Sequence, residues 1–457
     1  MNKLLQEILE KTIPGAKEKK EEKTLAKKII SQIMAMEGPQ IQVVWAGSSA
    51  RDTHLKGDRD LDIFVLFPKK LSRKEFEKHG LRIGKRIFKG HKWEEAYSEH
   101  PYIRGNIKGF DVEIVPSYKI TDSSKKMSSV DRSVFHNKYL KKKLSEKHRK
   151  EIRLLRQFLK GIGCYGAEIK TCSVPGYVAE LLILKHRTFS KAIKAISNWK
   201  QGHVIDIAKQ LSKKQAQRKF DAPLIVVDPV DRNRNVAAAL SEQQFNRLIV
   251  AANAFLKKPS KKFFFPEKIE SYSLSKVQGI LKKKELIGIE IAYPKKALAD
   301  IVWGQIKRVR DKISRQLEVH DFEVNQAEAW TDEIKTIIFL FELESLNLQR
   351  AKKIWGPPAS MEEHSQRFLK KHKKVLSGPR IEKKRWVIEI EREFVSAERF
   401  LRKYMKKISK EEQGNMQKAI RQKTVILHES NMLKLYGKNK EFAEFFTCYL
   451  RGKESFL

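Results

Sequence analysis

Apolar positions change their period several times along this chain. Between residues 21 and 36, Leu25, Ile29, Ile30 and Ile33 fall on one stripe, and residues 1–36 as a whole read as helical. Gly38-Pro39 stops that helix. Residues 41–45 and 61–67 are apolar runs of strand length, joined by a loop or short helix over 47–58. Helical spacing returns over 71–89. Residues 94–100, 102–107 and 110–115 then predict strands, with Gly109 turning into the last and Pro116 ending it. The first 120 residues are thus expected to form a mixed α/β unit.

From about residue 145 the pattern turns helical, with helices predicted over 146–160, 176–185 and 190–199 and a break at Gly161-Ile162-Gly163. A short strand over 224–227 precedes a helix over 241–256, with Ser241 as its N-cap. After Pro259, strands at 286–291, 318–324, 334–341 and 385–390 alternate with helices at 296–317 and 361–373. That order, strand-helix-strand-strand-helix-strand, is the ferredoxin-like arrangement. Residues 397–457 read as mainly helical. The expectation is an α+β multidomain chain in four parts: a catalytic head over 1–144, a helical neck over 145–258, a ferredoxin-like body over 259–395 and a basic helical tail over 396–457.

Length agrees, because 457 residues exceed one ordinary core and imply roughly two to four domains. With 41% hydrophobic and 33% charged residues, the chain reads as folded and soluble. Its 95 Lys and Arg against 55 Asp and Glu leave a net charge of +40, which points to a polyanionic partner, nucleic acid first. No amphipathic anchor, lipidation motif or membrane-length apolar run supports a membrane partner. Cys164, Cys172 and Cys448 form no Cys-x-x-Cys pair, so neither a zinc site nor a disulfide framework is expected. Without a signal-peptide core at the first residues, a reducing, cytoplasmic setting is expected.

The chemistry concentrates on the early strands. Asp60-Leu61-Asp62 opens an apolar strand, and alternation points both carboxylates to one face. Two acids so placed repel each other and resist burial unless a cation lies between them. Oxygen-only ligands suit Mg²⁺, which is commonly held by one or two carboxylates plus substrate phosphates. Asp111-Val112-Glu113 repeats the pattern, so either Asp111 or Glu113 is a candidate third ligand. Gly47-Ser48-Ser49-Ala50-Arg51 is not a Walker A loop, since it lacks the Gly-Lys-Ser/Thr ending. It still offers small residues, a hydroxyl and a guanidinium, which suit a triphosphate. On its own it would be an ordinary turn before a helix.

Gly-Ser, a spacer, Asp-x-Asp and a later acid resemble the signature of the DNA polymerase beta-like nucleotidyltransferase superfamily. The blocks Ala46–Gly57, Asp62–Pro68, Tyr97–Tyr102, Val130–His136, Tyr165-Gly166-Ala167-Glu168 and Asp228–Ala238 narrow the resemblance to the archaeal (class I) CCA-adding enzymes. They come in that family's order within about the first 240 residues. The C-terminal half is similar in layout more than in motif.

The resemblance implies Asp60, Asp62 and Glu113 as the catalytic metal carboxylates, with Asp111 as the alternative third ligand. The family usually has Glu-x-Asp in the first motif and Asp in the last, so Asp and Glu are exchanged here at positions 60 and 113. It implies nucleotide binding by Ser48, Arg51, Ser133, His136, Arg156, Tyr165 and Arg234, with Arg156 in place of a family lysine. Glu99 and His100 would lie in a loop near the primer end. The bland readings are a surface histidine for His136, a core aromatic for Tyr165 and a helix-start ion pair with Asp228 or Asp231 for Arg234. The implied activity is untemplated, sequential addition of C, C and A to tRNA 3′ ends from CTP and ATP, with two Mg²⁺ ions and release of pyrophosphate. tRNA would be gripped on its acceptor-stem and T-loop side, read by shape and phosphates, and a homodimer is common in the family. Two other readings compete: a poly(A) or oligo(U) polymerase or oligoadenylate synthetase-like enzyme, and an RNA-binding protein without activity. The later blocks speak against the first, and retention of all three acidic positions against the second.

Overall fold

The computed structural model describes residues 1–97, 99–122, 127–128, 130–295 and 297–457, so Ser98, within the expected strand 94–100, and residue 296, the expected start of a helix, lie outside the described residues. The chain divides into two compact units, Met1–Glu267 with Glu454–Leu457, and Lys268–Lys453.

The first unit begins with α1 (Asn2–Thr12), α2 (Ala16–Glu37), β1 (Gln42–Ala46), α3 (Gly47–Ala50), β2 (Asp60–Phe67), α4 (Arg73–Ile87), β3 (Trp93–Tyr97), β4 (Pro101–Ile107) and β5 (Phe110–Tyr118). The single helical stretch expected over 1–36 is two helices, because Pro14 lacks the N–H that a continuous helix needs. The five strands form one sheet in the order β1-β2-β5-β4-β3, with β2 and β5 parallel and the other neighbours antiparallel. Leu61, Ile63, Val65 and Phe67 of β2 join Ile103, Val112 and Ile114 in a core that α2 closes with Ile29 and Ile33, and α4 with Phe76 and Ile83. Phe64, Leu66 and Val115 pack on the opposite face with Ala46. Alternation assigns Asp60 and Asp62 to that second face. Pro116 does not end β5 as expected. Pairing with β4 stops at Ile114, so beyond it β5 has a ladder partner on one side only, β2, and a residue without an N–H is tolerated there.

The rest of this unit is α5 (Arg132–Lys143), α6 (Glu146–Gly161), α7 (Gly176–His186), α8 (Phe189–Ile196), β6 (His203–Asp206), α9 (Lys213–Lys219), β7 (Leu224–Asp228), β8 (Asp231–Asn235) and α10 (Glu242–Lys257). Its helices enclose a core in which Phe158 meets Phe189, Phe255 and Phe264 edge to face. Ser241 caps α10 as expected, accepting from the Gln244 N–H. β6 and β8 flank β7 in a small sheet. Sequence reading missed β8, since Asp231-Arg232-Asn233-Arg234-Asn235 carries no apolar alternation.

The second unit comprises α11 (Leu274–Leu281), β9 (Glu285–Ala292), α12 (Ala299–Val319), β10 (Val324–Thr331), β11 (Thr336–Leu343), β12 (Ala351–Pro358), α13 (Glu362–Lys371), β13 (Ser377–Glu382), β14 (Arg385–Glu391), α14 (Ala397–Glu411), α15 (Gly414–Gln422), β15 (Thr424–Leu427), α16 (Glu429–Lys438) and α17 (Lys440–Arg451). Its main sheet runs β10-β11-β9-β15, all antiparallel. This is the ferredoxin-like strand order, reached through different elements than expected. The strand expected over 318–324 is instead the end of α12 followed by the start of β10. The strand over 385–390 exists as β14, but it pairs with β12 and β13 in a separate sheet. The closing strand is β15, within the stretch expected to be a helical tail, and α14 beside it sends Phe400, Leu401, Tyr404 and Ile408 into the core under the main sheet. Local alternation reveals a strand but not its partner, which is why the two strands were confused. Among the described residues no helix is long and apolar enough to cross a membrane.

Candidate active site

Parallel pairing sets the carboxylates. Asp60 stands in register with Asp111, and Asp62 with Glu113. In-register residues of paired strands share a face, so all four acids edge one side of the sheet. Burial and then the charge of Asp60 push the Asp62 carboxyl up to about 6. Burial and then Asp62 push Glu113 up to about 7. Burial, with Asp58 and Asp111 nearby, also raises Asp60. Glu113 accepts from the Tyr102 hydroxyl at 3.4 Å, whereas Asp111 is exposed and accepts from Asn106 Nδ2 at 3.1 Å. Glu113 is therefore the acid tied to Asp62, and Asp111 lies further out with Asp60.

Gly47 forms the other wall. Its φ is +74°, and a Cβ there would stand 1.8 Å from Asp62 Oδ2. Only glycine permits both that backbone and that approach. Among the described residues no three His, Cys, Asp or Glu side chains converge into a ready-made metal site. The donor set still fits a divalent cation: hard oxygen ligands crowded on one face, whose burial and mutual repulsion raise their pKa values, a shift that a bound cation would offset.

The predicted phosphate ligands fall into two groups. Ser48 lies in α3, beside Gly47. The Arg51 guanidinium is buried, donating through Nε (3.1 Å) and Nη2 (2.8 Å) to the two oxygens of Glu180 and through Nη1 (3.2 Å) to Asn137 Oδ1. Arg156 reaches the same carboxylate, with Nη2 3.3 Å from Glu180 Oε1, and its Nε is buried with no partner among the described residues. Tyr165 lies beside it, its ring 6.0 Å from the Arg156 guanidinium and 5.5 Å from Lys160 Nζ. Arginines on α6 clamp the loop after α3: Arg149 donates to the Arg51 carbonyl at 3.1 Å, and Arg153 to the His54 carbonyl at 2.9 Å and to Asp52.

The second group gathers on α5 and β8. His136 is not a surface histidine. It is buried, 2.7 Å from Asp228 Oδ2, and stacked on Tyr177 with centroids 4.1 Å apart. Burial holds its pKa below the usual value despite Asp228. Arg234 sits on β8 rather than at a helix start, 3.7 Å from the same carboxylate. Ser133 lies in the first turn of α5. His100 is not brought to this face. Its ring is buried edge-on to Phe76, 5.0 Å away on the α4 side of the sheet, just before β4 begins. The Glu99 carbonyl accepts from Arg73.

Sequence reasoning missed Glu180. Its signal was legible: one carboxylate within the apolar run Val178 to Leu184, on a helix buried all round, must find cationic partners. It also passed over Arg104, which stands in register with Glu113 and pairs with Glu94 at the mouth of a cleft of about 550 Å³ lined by Asp60, Asp111 and Glu113.

Residues 27–136 match the nucleotidyltransferase domain model, and with the carboxylate-edged sheet they define the protein as a nucleotidyltransferase. Residues 150–265 match the model of the second domain of tRNA nucleotidyltransferase, and 284–429 that of the CCA-adding enzyme C-terminal domain. The CCA-adding enzyme of Methanococcus maripaludis is 37% identical over 380 residues, covering 80% of this chain and 84% of that one. Those of Methanothermobacter thermautotrophicus (36%, covering 81% and 80%) and Methanosarcina mazei (34%, covering 86% and 87%) are similar. The chain belongs to the CCA-adding enzyme family.

Proposed function

We propose that this protein adds C, C and A in turn to the 3′ end of tRNA, using CTP and ATP and no nucleic-acid template. The observation that carries the reading is the in-register pair Asp62 and Glu113, edging the sheet of a chain that matches a nucleotidyltransferase domain and two CCA-adding-enzyme domains in order between residues 27 and 429. Asp60, Asp62 and Glu113 would hold a divalent ion, in our reading Mg²⁺. Bound there, such an ion lowers the pKa of the RNA 3′-hydroxyl and offsets charge on the departing pyrophosphate.

The chain's own groups do the rest. Gly47 leaves room for Asp62, and Ser48 presents a hydroxyl beside it. Arg51 and Arg156 supply fixed positive charge next to the acids, where the triphosphate would lie. Tyr165 completes that side, while Ser133, His136 and Arg234 form the nucleotide's other wall. The division of labour we propose is catalysis over 1–144, nucleotide recognition over 145–258, and tRNA grip from 259–395 and 396–457.

The test is tRNA lacking its last three nucleotides, offered with labelled CTP and ATP in Mg²⁺. Three additions in the order C-C-A are expected. A long homopolymer would replace this reading with a poly(A) or oligo(U) polymerase, and no incorporation with an RNA-binding protein.

A further inference from the structure

One fully buried charge in the first unit, held by cations from two elements, belongs to a residue outside the metal and nucleotide ligands named above. Glu180 lies on α7, wholly buried. Its Oε2 accepts from Arg51 Nη2 at 2.8 Å, and its Oε1 accepts from Arg51 Nε at 3.1 Å and from the Thr53 hydroxyl. Arg156 Nη2 stands 3.3 Å from Oε1. A carboxylate removed from water needs this much compensation. Burial raises its pKa, but Arg51 and Arg156 more than reverse that and keep it ionised.

The charges do not balance. Two guanidiniums share one carboxylate, so one positive charge is left over beside Asp60 and Asp62. Arg51 acts on Asp62 and Arg156 on Asp60 through space. Arg156 also keeps a buried Nε without a partner among the described residues. A polyphosphate would take up both the charge and the donor.

We propose that Glu180 is the positioning residue of the phosphate site: it fixes Arg51 on the loop after α3 and Arg156 on α6 in one arrangement, so that the two present a preset positive charge to the nucleotide's triphosphate. This rests on the reading of Arg51 and Arg156 as phosphate ligands. Glu180 touches no substrate. It acts by holding one guanidinium from each side of the site, which would otherwise settle against Asp60 and Asp62 or turn to solvent. A bidentate fork gives direction as well as charge, which is what a positioning role requires.

The probe is inorganic tripolyphosphate, bound to the full chain and followed by calorimetry. This measurement needs no RNA, so it stays informative if CCA addition itself is not found. Glu180→Gln keeps size and hydrogen-bonding atoms but removes the charge. Misplacement of a positioned group costs on the order of 10²-fold in kcat/KM. A loss of that order is expected for CTP and ATP alike, expressed mainly in nucleotide KM, with tripolyphosphate affinity falling in parallel and KM for tRNA unchanged. Glu180→Asp restores the charge and should recover part of the affinity. Unchanged tripolyphosphate binding in folded Glu180→Gln overturns the proposal, as does a Glu180→Asp variant no better than Gln. A loss confined to kcat or to tRNA KM would also overturn it. Should Glu180→Gln fail to fold, Thr53→Val removes only the hydroxyl donor to Oε1. It is expected to weaken tripolyphosphate binding several-fold, and an unchanged affinity there overturns the proposal equally.

Discussion

Asp62 and Glu113 face each other in register across the parallel strands β2 and β5, where burial makes both harder to ionise and the Asp62 charge adds to the shift of Glu113. Asp62 moves from 3.8 to about 6 and Glu113 from 4.5 to about 7. A carboxyl raised on folding binds more protons in the folded chain than in the unfolded one between those two values. Stability from these groups is therefore highest at acid pH and falls as pH climbs toward 7. Without divalent metal, the thermal midpoint of Asp62→Asn or Glu113→Gln should fall less than that of the parent between pH 4.5 and 7. Excess Mg²⁺ should flatten the parent's slope. Thermal denaturation across pH checks this, and equal slopes in parent and variants would place the strained acids elsewhere.

Gly47 is the second point of close approach. Alanine there meets two penalties: a left-handed backbone, which costs about 1–2 kcal/mol for an L-residue, and a Cβ 1.8 Å from Asp62 Oδ2. Gly47→Ala is expected to lower the thermal midpoint modestly and to abolish nucleotide incorporation, because Asp62 must turn away. tRNA binding, measured by filter retention, should stay close to that of the parent. Full activity would mean that Asp62 need not occupy its present position.

How much of this was legible beforehand follows from the range of each interaction. The strand carrying Asp60 and Asp62 and the cap at Ser241 are local patterns, and they stand where the spacing places them. The facing of His100 is set by its packing on Phe76, 24 positions earlier in the chain, and a histidine at a predicted strand end gives no hint of it. Arg51 and Glu180 are 129 positions apart, and nothing in either segment names the other. β15 is four residues long and reads as part of a helical tail, although it completes the main sheet of its unit. Local periodicity fixes elements, whereas strand partners and buried ion pairs are long-range choices that only packing decides.

The exchange of Asp and Glu that the family resemblance implies at positions 60 and 113 makes a prediction about coupling. Asp60 and Glu113 share one face, on adjacent strands and two register positions apart, and the Asp60 charge helps raise the pKa of Glu113. Lengthening one acid or shortening the other alone moves an oxygen by one methylene and unbalances the pair. Asp60→Glu and Glu113→Asp should each lower kcat. The double variant, which has the usual family identities, should be more active than either single one. The cycle should therefore be strongly non-additive. Additive losses would mean that the two acids act independently.

The net charge of +40 sets the last expectation, because it concerns tRNA rather than the nucleotide. Phosphate contacts release counterions, so affinity falls with salt in proportion to their number, by about 10³–10⁵ between 50 and 200 mM for a protein making 6–10 of them. kcat/KM for tRNA should drop on that scale, while KM for CTP, which meets few charges, should change far less. Lys370, Lys371, Lys373 and Lys374 lie exposed at and just beyond the end of α13 and are the first stretch to test. Replacing the four by Gln should flatten the logarithmic salt slope by about one for each lysine that meets a phosphate. Nucleotide KM should not move. An unchanged slope would show that this stretch faces solvent only, and salt-independent tRNA affinity in the parent would remove the electrostatic grip altogether.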